Sequence, residues 1–309
     1  MAKERSQLRH IAEYLGVRSL LAVLQAMPLS LGYTLAKVLA IIAYYVDRRH
    51  RTVAEQNLKI AYPHWSGKER DKVVRQVYRH FCMMVIEMAH LPRMLHTHNW
   101  RKYMELHGGA AMVGALLSGR PVLVITGHLG NWELAGYAFG LLGFKSYAVA
   151  RPLDNPLLDA LIKRFRRKTG QELLNKNGDA NRMADILDSG GTLCTLADQD
   201  AGPSGLFVPF FGKPASTHKA VALLALHHEA LVAVAAARRV GIGLKYAIDV
   251  ETVIDTRDLL QDANPVRTLT EQYTAAWERL VCKAPEQYLW LHRRWKHEPK
   301  QKKAQRRAA

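Results

Sequence analysis

Residues 126–133, with the sequence TGHLGNWE, carry the side chains best suited to chemistry. They directly follow residues 121–126, an apolar run typical of a strand buried on both faces of a sheet. The carboxyl ends of such strands are where α/β proteins build their sites. We expect His128 in a loop at this edge and Glu133 in the first turn of a helix that Asn131 caps.

This placement would let the Glu133 carboxylate reach back to the imidazole of His128. A carboxylate on one ring nitrogen fixes the tautomer and stabilises the imidazolium, so that the other nitrogen can accept a proton from a hydroxyl. The two residues therefore predict a His–acid dyad that works as a general base. Spacing alone favours a structural histidine over a catalytic one, so both interpretations stay open at this point.

The elements that would hold this loop alternate along the middle of the chain. Short apolar runs predict strands at residues 121–126, 146–150, 192–197, 231–238 and 244–252. Helical periodicity is found at residues 132–142, 156–169, 181–188, 217–228 and 268–281. This alternation favours an α/β fold, with a mixed, largely parallel central sheet flanked by helices.

The N-terminal region is apolar and lacks the pattern of a secretory signal peptide. Residues 19–46 are 28 residues with one charge, Lys37, whereas a spanning helix needs about 20 apolar residues. Pro28 predicts a break, so we expect two apolar helices. Arg18 and the basic residues 48–51 suit the head groups of an anionic leaflet. Three arrangements stay open: helices in or on a membrane, helices packed on the domain, and a full span.

The simplest division of the chain has three parts. Residues 1–60 form an apolar and basic helical segment that associates with a membrane, and residues 61–296 form one catalytic domain. Residues 297–309 form a flexible basic tail. Eight lysines or arginines and one glutamate fall within residues 293–309, so this end carries much of the positive charge.

The 309 residues include 44 basic and 27 acidic side chains, which gives a formal charge of +17. This charge indicates an anionic partner, and composition leaves nucleic acid, an anionic membrane and an acidic protein open. Three cysteines are too few for a disulfide framework or a Cys-rich zinc module. His227, His228 and Glu229 are adjacent and lack metal-ligand spacing. We therefore expect neither a metal nor a cofactor.

Residues 127–133 resemble the H-x4-D/E motif of the glycerolipid and lysophospholipid acyltransferases, in the variant of the lipid A biosynthesis (late lauroyl/myristoyl) acyltransferases. Four further blocks resemble that family in the same order. They are residues 48–58 with 62–63, residues 151–156 with Asp159 and 166–170, residues 197–202 with 207–212 and 215–217, and residues 285–295. The similarity covers nearly the whole chain, and five ordered blocks are strongly specific.

The resemblance implies a glycerolipid-acyltransferase-like fold and transfer of a fatty acyl chain from a thioester to a hydroxyl of a lipid A precursor. It implies an enzyme of the cell inner membrane whose site faces the cytoplasm. The donor would be acyl carrier protein, an acidic partner that the basic residues 163–168 could attract; the alternative for these residues is a solvated helix face. The glycolipid acceptor and membrane lipids would be the other partners, with no nucleic acid.

Roles for the first motif also follow from the resemblance. His128 would be the general base, Glu133 would orient it, and Asn131 would belong to the substrate-binding set. No covalent acyl-enzyme is required, because the thioester is already activated. Arg166 and Arg151, together with backbone N–H groups near the motif, are candidates to stabilise the oxyanion.

The third block supplies two carboxylates and an aromatic run. Asp198 and Asp200 would hold an arginine in place or bind polar groups of the acceptor, and loop capping is the alternative for both. Residues 207–211 could line an acyl tunnel, although such runs are more often plain core.

Two other functions stay open. Relatives that share the Asn131-Trp132 pair and the Asp-Gln-Asp order use acyl-CoA and acylate other glycolipids, such as phosphatidylinositol mannosides. The motifs therefore define the reaction better than the acceptor. A non-catalytic basic membrane- or nucleic-acid-binding protein fits the composition, but it gives no reason for a buried strand to end on this motif.

Overall fold

The computed structural model describes residues 7–175 and 178–299. The helices are α1 (Gln7–Ala26), α2 (Leu29–Val46), α3 (Arg48–Ala61), α4 (Gly67–Met94), α5 (Gly109–Leu117), α6 (Trp132–Leu141), α7 (Pro156–Arg167), α8 (Ala180–Asp188), α9 (Lys219–His227) and α10 (Pro265–Lys283). The strands are β1 (Met104–His107), β2 (Val122–Thr126), β3 (Ser146–Ala150), β4 (Gln171–Asn175), β5 (Thr192–Leu196), β6 (Leu206–Phe210), β7 (Lys213–Thr217), β8 (Leu231–Arg239) and β9 (Tyr246–Asp255). Short 3₁₀ helices span Trp100–Lys102, Thr256–Leu259 and Pro285–Gln287.

Seven strands form one sheet in the order β1-β9-β8-β2-β5-β3-β4. Within it, neighbouring strands run parallel except for β8 and β9, which are antiparallel. β6 and β7 form a separate antiparallel hairpin. The predicted α/β fold with a mixed, largely parallel sheet flanked by helices is confirmed.

The sequence does not predict four of the strands. β1 and β4 lie at the two edges of the large sheet and are only partly buried, so neither has a continuous apolar run. In the hairpin, Pro209 of β6 lies opposite Pro214 of β7. Proline cannot donate to a ladder and argues against a strand when only the sequence is read.

β2 is the centre of the sheet and defines where the site forms. Val122, Leu123 and Ile125 are almost completely buried, as expected for a strand covered on both faces. β2 lies between β5 and β8, and the three strands are parallel. The chain segments that leave the carboxyl ends of these three strands therefore meet at one edge.

The N-terminal region forms two helices that meet near Pro28, as predicted, but only α2 is apolar along its length, because α1 carries Arg9, Glu13 and Arg18. Residues Gly32, Ala36, Ala40 and Tyr44 of α2 are buried, and α2 packs against α4. A Cβ on Gly32 would lie 2.7 Å from Ile86 Cγ2, so the close approach of the two helices requires glycine there.

The opposite face of α2 is apolar and exposed. It presents Leu31, Val38, Leu39, Ile41, Ile42, Tyr45 and Val46. Among the described residues, α2 is the one helix that is long and apolar enough to cross a membrane by length and composition, and only 22% of it is buried. The division of the chain at residues 60 and 296 stays a prediction, and residues 300–309 of the basic tail lie outside the described residues.

Residues after α10 return across the carboxyl edge of the sheet. Leu289 N donates to His128 O at 2.9 Å, and Gly130 N donates to Gln287 O at 3.1 Å. Asn57 of α3 donates to Trp290 O at 2.7 Å. The C-terminal block, residues 285–295, therefore packs over the loop that carries His128.

Candidate active site

The His128 loop, residues 127–131, joins β2 to α6 in a conformation that requires its glycines. Gly130 has a φ of +62°, and a Cβ there would lie 1.8 Å from Ala237 O of β8. A Cβ on Gly127 would lie 2.4 Å from Trp277 Cζ2. Asn131 Oδ1 accepts a hydrogen bond from Leu134 N at 2.9 Å, so Asn131 caps α6 as the sequence predicts.

His128 is paired with Asp198. The imidazole Nδ1 lies 2.9 Å from Asp198 Oδ1, and the backbone N–H of His128 donates to Asp198 Oδ2 at 2.8 Å. A carboxylate at Nδ1 favours the tautomer with the proton on that nitrogen, which leaves Nε2 as an acceptor. Trp132 packs edge-on against the imidazole, with ring centroids 4.8 Å apart.

Asp198 reaches His128 because β5 is the parallel neighbour of β2. Thr126 lies opposite Leu196 in the register, and Ala197 N donates to Thr126 O at 3.0 Å. Asp198 therefore leaves the sheet beside the His128 loop. Sequence reasoning missed this pairing because the order of strands is not visible in a single sequence.

The Asp198 carboxylate is buried and still favours its charged form. Burial raises its pKa, but the charge and hydrogen bonds of His128, with a smaller contribution from the Arg294 charge, outweigh burial and hold the pKa below its usual value. Arg294 is itself buried and donates to Thr217 Oγ1 at 2.7 Å and to Ser216 O. The sequence analysis did not identify Arg294 as a site residue. The one indication was that it lies in residues 285–295, the C-terminal block that resembles the family.

Glu133 binds Arg166 rather than His128. Arg166 Nε donates to Glu133 Oε2 at 3.0 Å, and Nη2 donates to Oε1. Both side chains are largely buried, with relative exposures of 10% and 18%. The expected contact between Glu133 and the imidazole is therefore not formed. The reason is that Glu133, in the first turn of α6, meets α7, while the β5 carboxylate already occupies Nδ1.

The other predicted site residues lie in different places. The Arg151 side chain is 84% exposed and forms an ion pair with the exposed Asp154, at 3.2 Å. Asp200 is buried, and its Oδ2 lies 2.7 Å from His297 Nδ1 and accepts from Gly202 N at 3.1 Å. The structure thus brings His128, Asp198, Glu133 and Arg166 together as two pairs, leaves Arg151 outside, and gives Asp200 a loop contact.

An apolar cavity of about 180 Å³ begins beside these pairs. Trp132, which contacts His128, lines it together with Glu133 and Arg166. The cavity continues between the sheet and the helices α5 and α6. Its walls include Met112 and Leu116 of α5, Gly136 and Phe139 of α6, and the sheet residues Val124, Ala148, Gln171, Cys194 and Ala235.

Residues 207–211 do not line this cavity. Phe210 is buried and stacks on Trp295, with ring centroids 5.6 Å apart, and Phe211 lies 5.7 Å from the Trp290 ring. This run packs beneath the C-terminal segment, which agrees with the alternative interpretation of residues 207–211 as core. Within residues 7–175 and 178–299, no group of three or more His, Cys, Asp or Glu side chains is arranged to hold a metal ion.

The comparisons with known proteins agree with the resemblance. A family model described as bacterial lipid A biosynthesis acyltransferase matches residues 1–297. The chain is 28% identical over 298 residues to the lipid A biosynthesis lauroyltransferase of Escherichia coli K12, covering 94% of this chain and 93% of that protein. It is 27% identical over 256 residues to the lipid A biosynthesis palmitoleoyltransferase of the same organism, covering 82% and 80%. A solved structure, the 1-acyl-sn-glycerophosphate acyltransferase of Thermotoga maritima, matches with a TM-score of 0.40 and 12% identity over 83% of this chain and 98% of that chain.

Proposed function

Because the chain belongs to the bacterial lipid A biosynthesis acyltransferases, we propose that it moves a fatty acyl chain from acyl carrier protein to a hydroxyl of a lipid A precursor. The observation that carries this proposal is the His128–Asp198 pair next to an apolar cavity, which Trp132 lines while it packs against the His128 ring. The pair supplies a base, and the cavity supplies a place for an acyl chain.

His128 acts as the general base. Its Nε2 takes the proton of the acceptor hydroxyl while the hydroxyl oxygen attacks the thioester carbonyl carbon. Asp198 keeps the ring in the required tautomer and stabilises the imidazolium. When the C–S bond breaks, the imidazolium returns the proton to the leaving thiolate. The thioester is reactive enough for direct attack, so no acyl-enzyme forms.

Arg166 stabilises the oxyanion that develops during attack. Glu133 holds its Nε and Nη2, so the guanidinium is fixed at the cavity mouth before the substrate arrives. A preorganised donor in a site with little water contributes much more than the same donor in solution. Glu133 is thus a positioning residue for Arg166, and its place in the motif is explained without contact to His128.

The apolar cavity holds the acyl chain. Its lining is mostly aliphatic or aromatic, and the polar exceptions are Thr126, Gln171 and the Glu133–Arg166 pair. Burying a fatty chain there is favourable by about 0.8 kcal/mol per CH₂ group. The acyl carbonyl would then lie at the mouth, beside Trp132 and Arg166.

Acyl carrier protein docks on the exposed basic face of α7. Arg164, Arg167 and Lys168 are exposed on the helix that carries Arg166. An acidic partner bound there would deliver its acyl group close to the cavity mouth, and opposite charges would accelerate the encounter. Arg166 is turned inward to Glu133 and does not belong to this face.

The enzyme works at the cell inner membrane, with its site facing the cytoplasm. The exposed apolar face of α2 supplies the membrane contact. α1 is joined to the start of α7 by a hydrogen bond from Nδ2 of Asn155, the N-cap residue of α7, to His10 O at 3.0 Å. The membrane-bound helices are thereby linked to the helix that bears Arg166, which suits an acceptor that is itself a membrane lipid.

The test is transfer by the purified protein in mixed micelles. Acyl carrier protein and coenzyme A thioesters of the same fatty acid are offered separately with a lipid A precursor. We expect product with the carrier-protein donor and none with His128→Ala, whereas His107→Ala, a change at an exposed edge-strand histidine, keeps activity. Intact mass measured with donor alone should show no acylated protein. Transfer from acyl-CoA alone would overturn the donor assignment, and a stable acyl-enzyme would overturn direct attack.

A further inference from the structure

Glu87 of α4 is a fully buried carboxylate that the proposed chemistry does not use. Its relative exposure is 0%. Arg239, at the end of β8, donates hydrogen bonds to this carboxylate from Nη1 and from Nη2, the latter at 2.8 Å. Tyr33 of α2 donates to it at 2.7 Å, and Tyr246 of β9 donates to its other oxygen. A buried charge is costly unless it is paired and hydrogen-bonded, and here it is both.

The Glu87–Arg239 pair lies directly behind the His128 loop. Asn131 Nδ2 lies 3.5 Å from Glu87 Oε2, while Asn131 Oδ1 caps α6. Asn131 N also donates to Ala237 O of β8 at 2.8 Å. Asn131, the last residue of the loop, is thus held by α4 through its side chain and by β8 through its backbone N–H.

The backbone of Arg239, whose position the ion pair with Glu87 fixes, reaches the same loop by a second route. Gln287 exchanges two hydrogen bonds with the Arg239 backbone, at 2.7 Å and 3.0 Å. The carbonyl of Gln287 then accepts from Gly130 N at 3.1 Å. From the other side, His80 Nε2 donates to Gly130 O at 3.0 Å. Burial and the Arg239 charge lower the pKa of His80 to about 4, so the ring is neutral.

We propose that Glu87 and Arg239 are positioning residues for His128: Glu87 contacts Asn131 directly, and the ion pair fixes the Arg239 backbone that binds Gln287, so that the His128 loop keeps the imidazole aligned with Asp198. This inference rests on His128 being the base. It goes beyond the proposed mechanism because neither residue touches the reacting atoms and neither falls in the motifs of the resemblance.

An apolar core could stabilise α4 against the sheet equally well. Replacing a buried ion pair by apolar residues of similar volume is often neutral or stabilising, whereas removing one partner is strongly destabilising. Apolar side chains could not orient the Asn131 amide. Stability and loop alignment can therefore be separated by replacing both partners at once.

The test compares the double variant Glu87→Leu/Arg239→Met with the wild type and with Glu251→Gln. Glu251 is the control, because its carboxylate is also held in ion pairs, with Arg279 at 2.6 Å and Lys283 at 2.7 Å, but lies away from the His128 loop. Thermal unfolding, kcat and the KM for the thioester are measured on the full chain in detergent. We expect the double variant to unfold near the wild-type temperature with kcat reduced about 10- to 100-fold and KM changed less than about twofold.

A folded double variant with wild-type kcat would overturn the inference, as would an equal loss of kcat in Glu251→Gln. If the double variant does not fold, Glu87→Gln and Glu87→Asp replace it. Asp keeps the charge and should recover more kcat than Gln at equal unfolding temperature, and the reverse order would contradict the proposal. A fully active His128→Ala protein would instead overturn the proposed function, so the two failures are distinguishable.

Discussion

At the scale of single residues, the chemistry of the site depends on which carboxylate binds which cation. Asp198 binds both the ring and the backbone of His128, and Glu133 binds Arg166 through two nitrogens. The sequence identifies all four residues but pairs Glu133 with the wrong partner. The pairing depends on β5 lying next to β2, a long-range contact that no local pattern encodes.

Asp198→Asn should nearly abolish turnover while preserving the fold. The amide can occupy the same space, but it does not stabilise an imidazolium and permits the wrong tautomer, a change that costs about 10⁴-fold in a comparable triad. The measurement is kcat with the acyl carrier protein thioester, with circular dichroism to confirm folding. Asp154→Asn, at an exposed carboxylate, is the control. A folded Asp198→Asn protein with more than a tenth of wild-type kcat would contradict the role of Asp198.

At the scale of elements, the sequence predicts what is locally periodic and misses what is not. The buried strand β2 and the helices α6 and α10 follow from apolar runs and 3.6-residue spacing. The edge strands β1 and β4 are missed because they are only partly buried, and the β6–β7 hairpin is hidden by its prolines. The cavity between the sheet and two helices also could not be predicted, because its walls come from distant parts of the chain.

Gly136→Met should shift the donor preference toward shorter acyl chains. Gly136 faces the cavity on α6, and a Cβ there would already lie 2.7 Å from Gln171 Nε2, so a longer side chain must occupy cavity space. Transfer rates are compared across thioesters of increasing chain length. Gly114→Met on α5 is the control, because a Cβ there meets nothing within 4 Å. An unchanged chain-length profile in Gly136→Met would place the acyl chain elsewhere.

The pair Arg120–Asp255 should contribute stability that acid removes. It joins the segment that leads into β2 to the last residue of β9, with Arg120 Nη2 2.7 Å from Asp255 Oδ1. The hydrogen bonds from Arg120 lower the pKa of Asp255 to about 2. Because the folded pKa lies below the unfolded value, this contribution is complete above about pH 4 and declines as the pH falls toward 2.

Chemical unfolding of wild type and Asp255→Asn tests this dependence. The gap between the two unfolding midpoints should be largest at pH 7 and clearly smaller at pH 3. A gap that does not change with pH would show that the ionised carboxylate is not its source.

At the scale of the whole molecule, one face of α2 packs on α4 and the other is apolar and exposed. Composition predicts two apolar helices and their break at Pro28. It does not tell which side faces the domain, because α2 is apolar nearly all round. The buried face is identified by its small residues, Gly32, Ala36 and Ala40, which permit close approach to α4.

Val38→Glu/Ile42→Glu should move the protein from the membrane fraction toward the soluble fraction. The two residues lie one helical turn apart on the exposed face of α2, so the charges enter the proposed lipid contact without disturbing α4. The control is Leu223→Glu/Ile242→Glu, which alters exposed apolar residues elsewhere. Equal membrane retention of both double variants would place the anchor outside α2.

The proposed reaction is acylation of a lipid A precursor with His128 as the base. It is tested by mass spectrometry of lipid A from a host that lacks its own late acyltransferases and expresses wild type, His128→Ala or His107→Ala at equal levels. We expect one added acyl group with wild type and His107→Ala, none with His128→Ala, and a mass increment that gives the chain length. Unchanged lipid A in all three strains would contradict the acceptor, and equal acylation in all three would contradict the base.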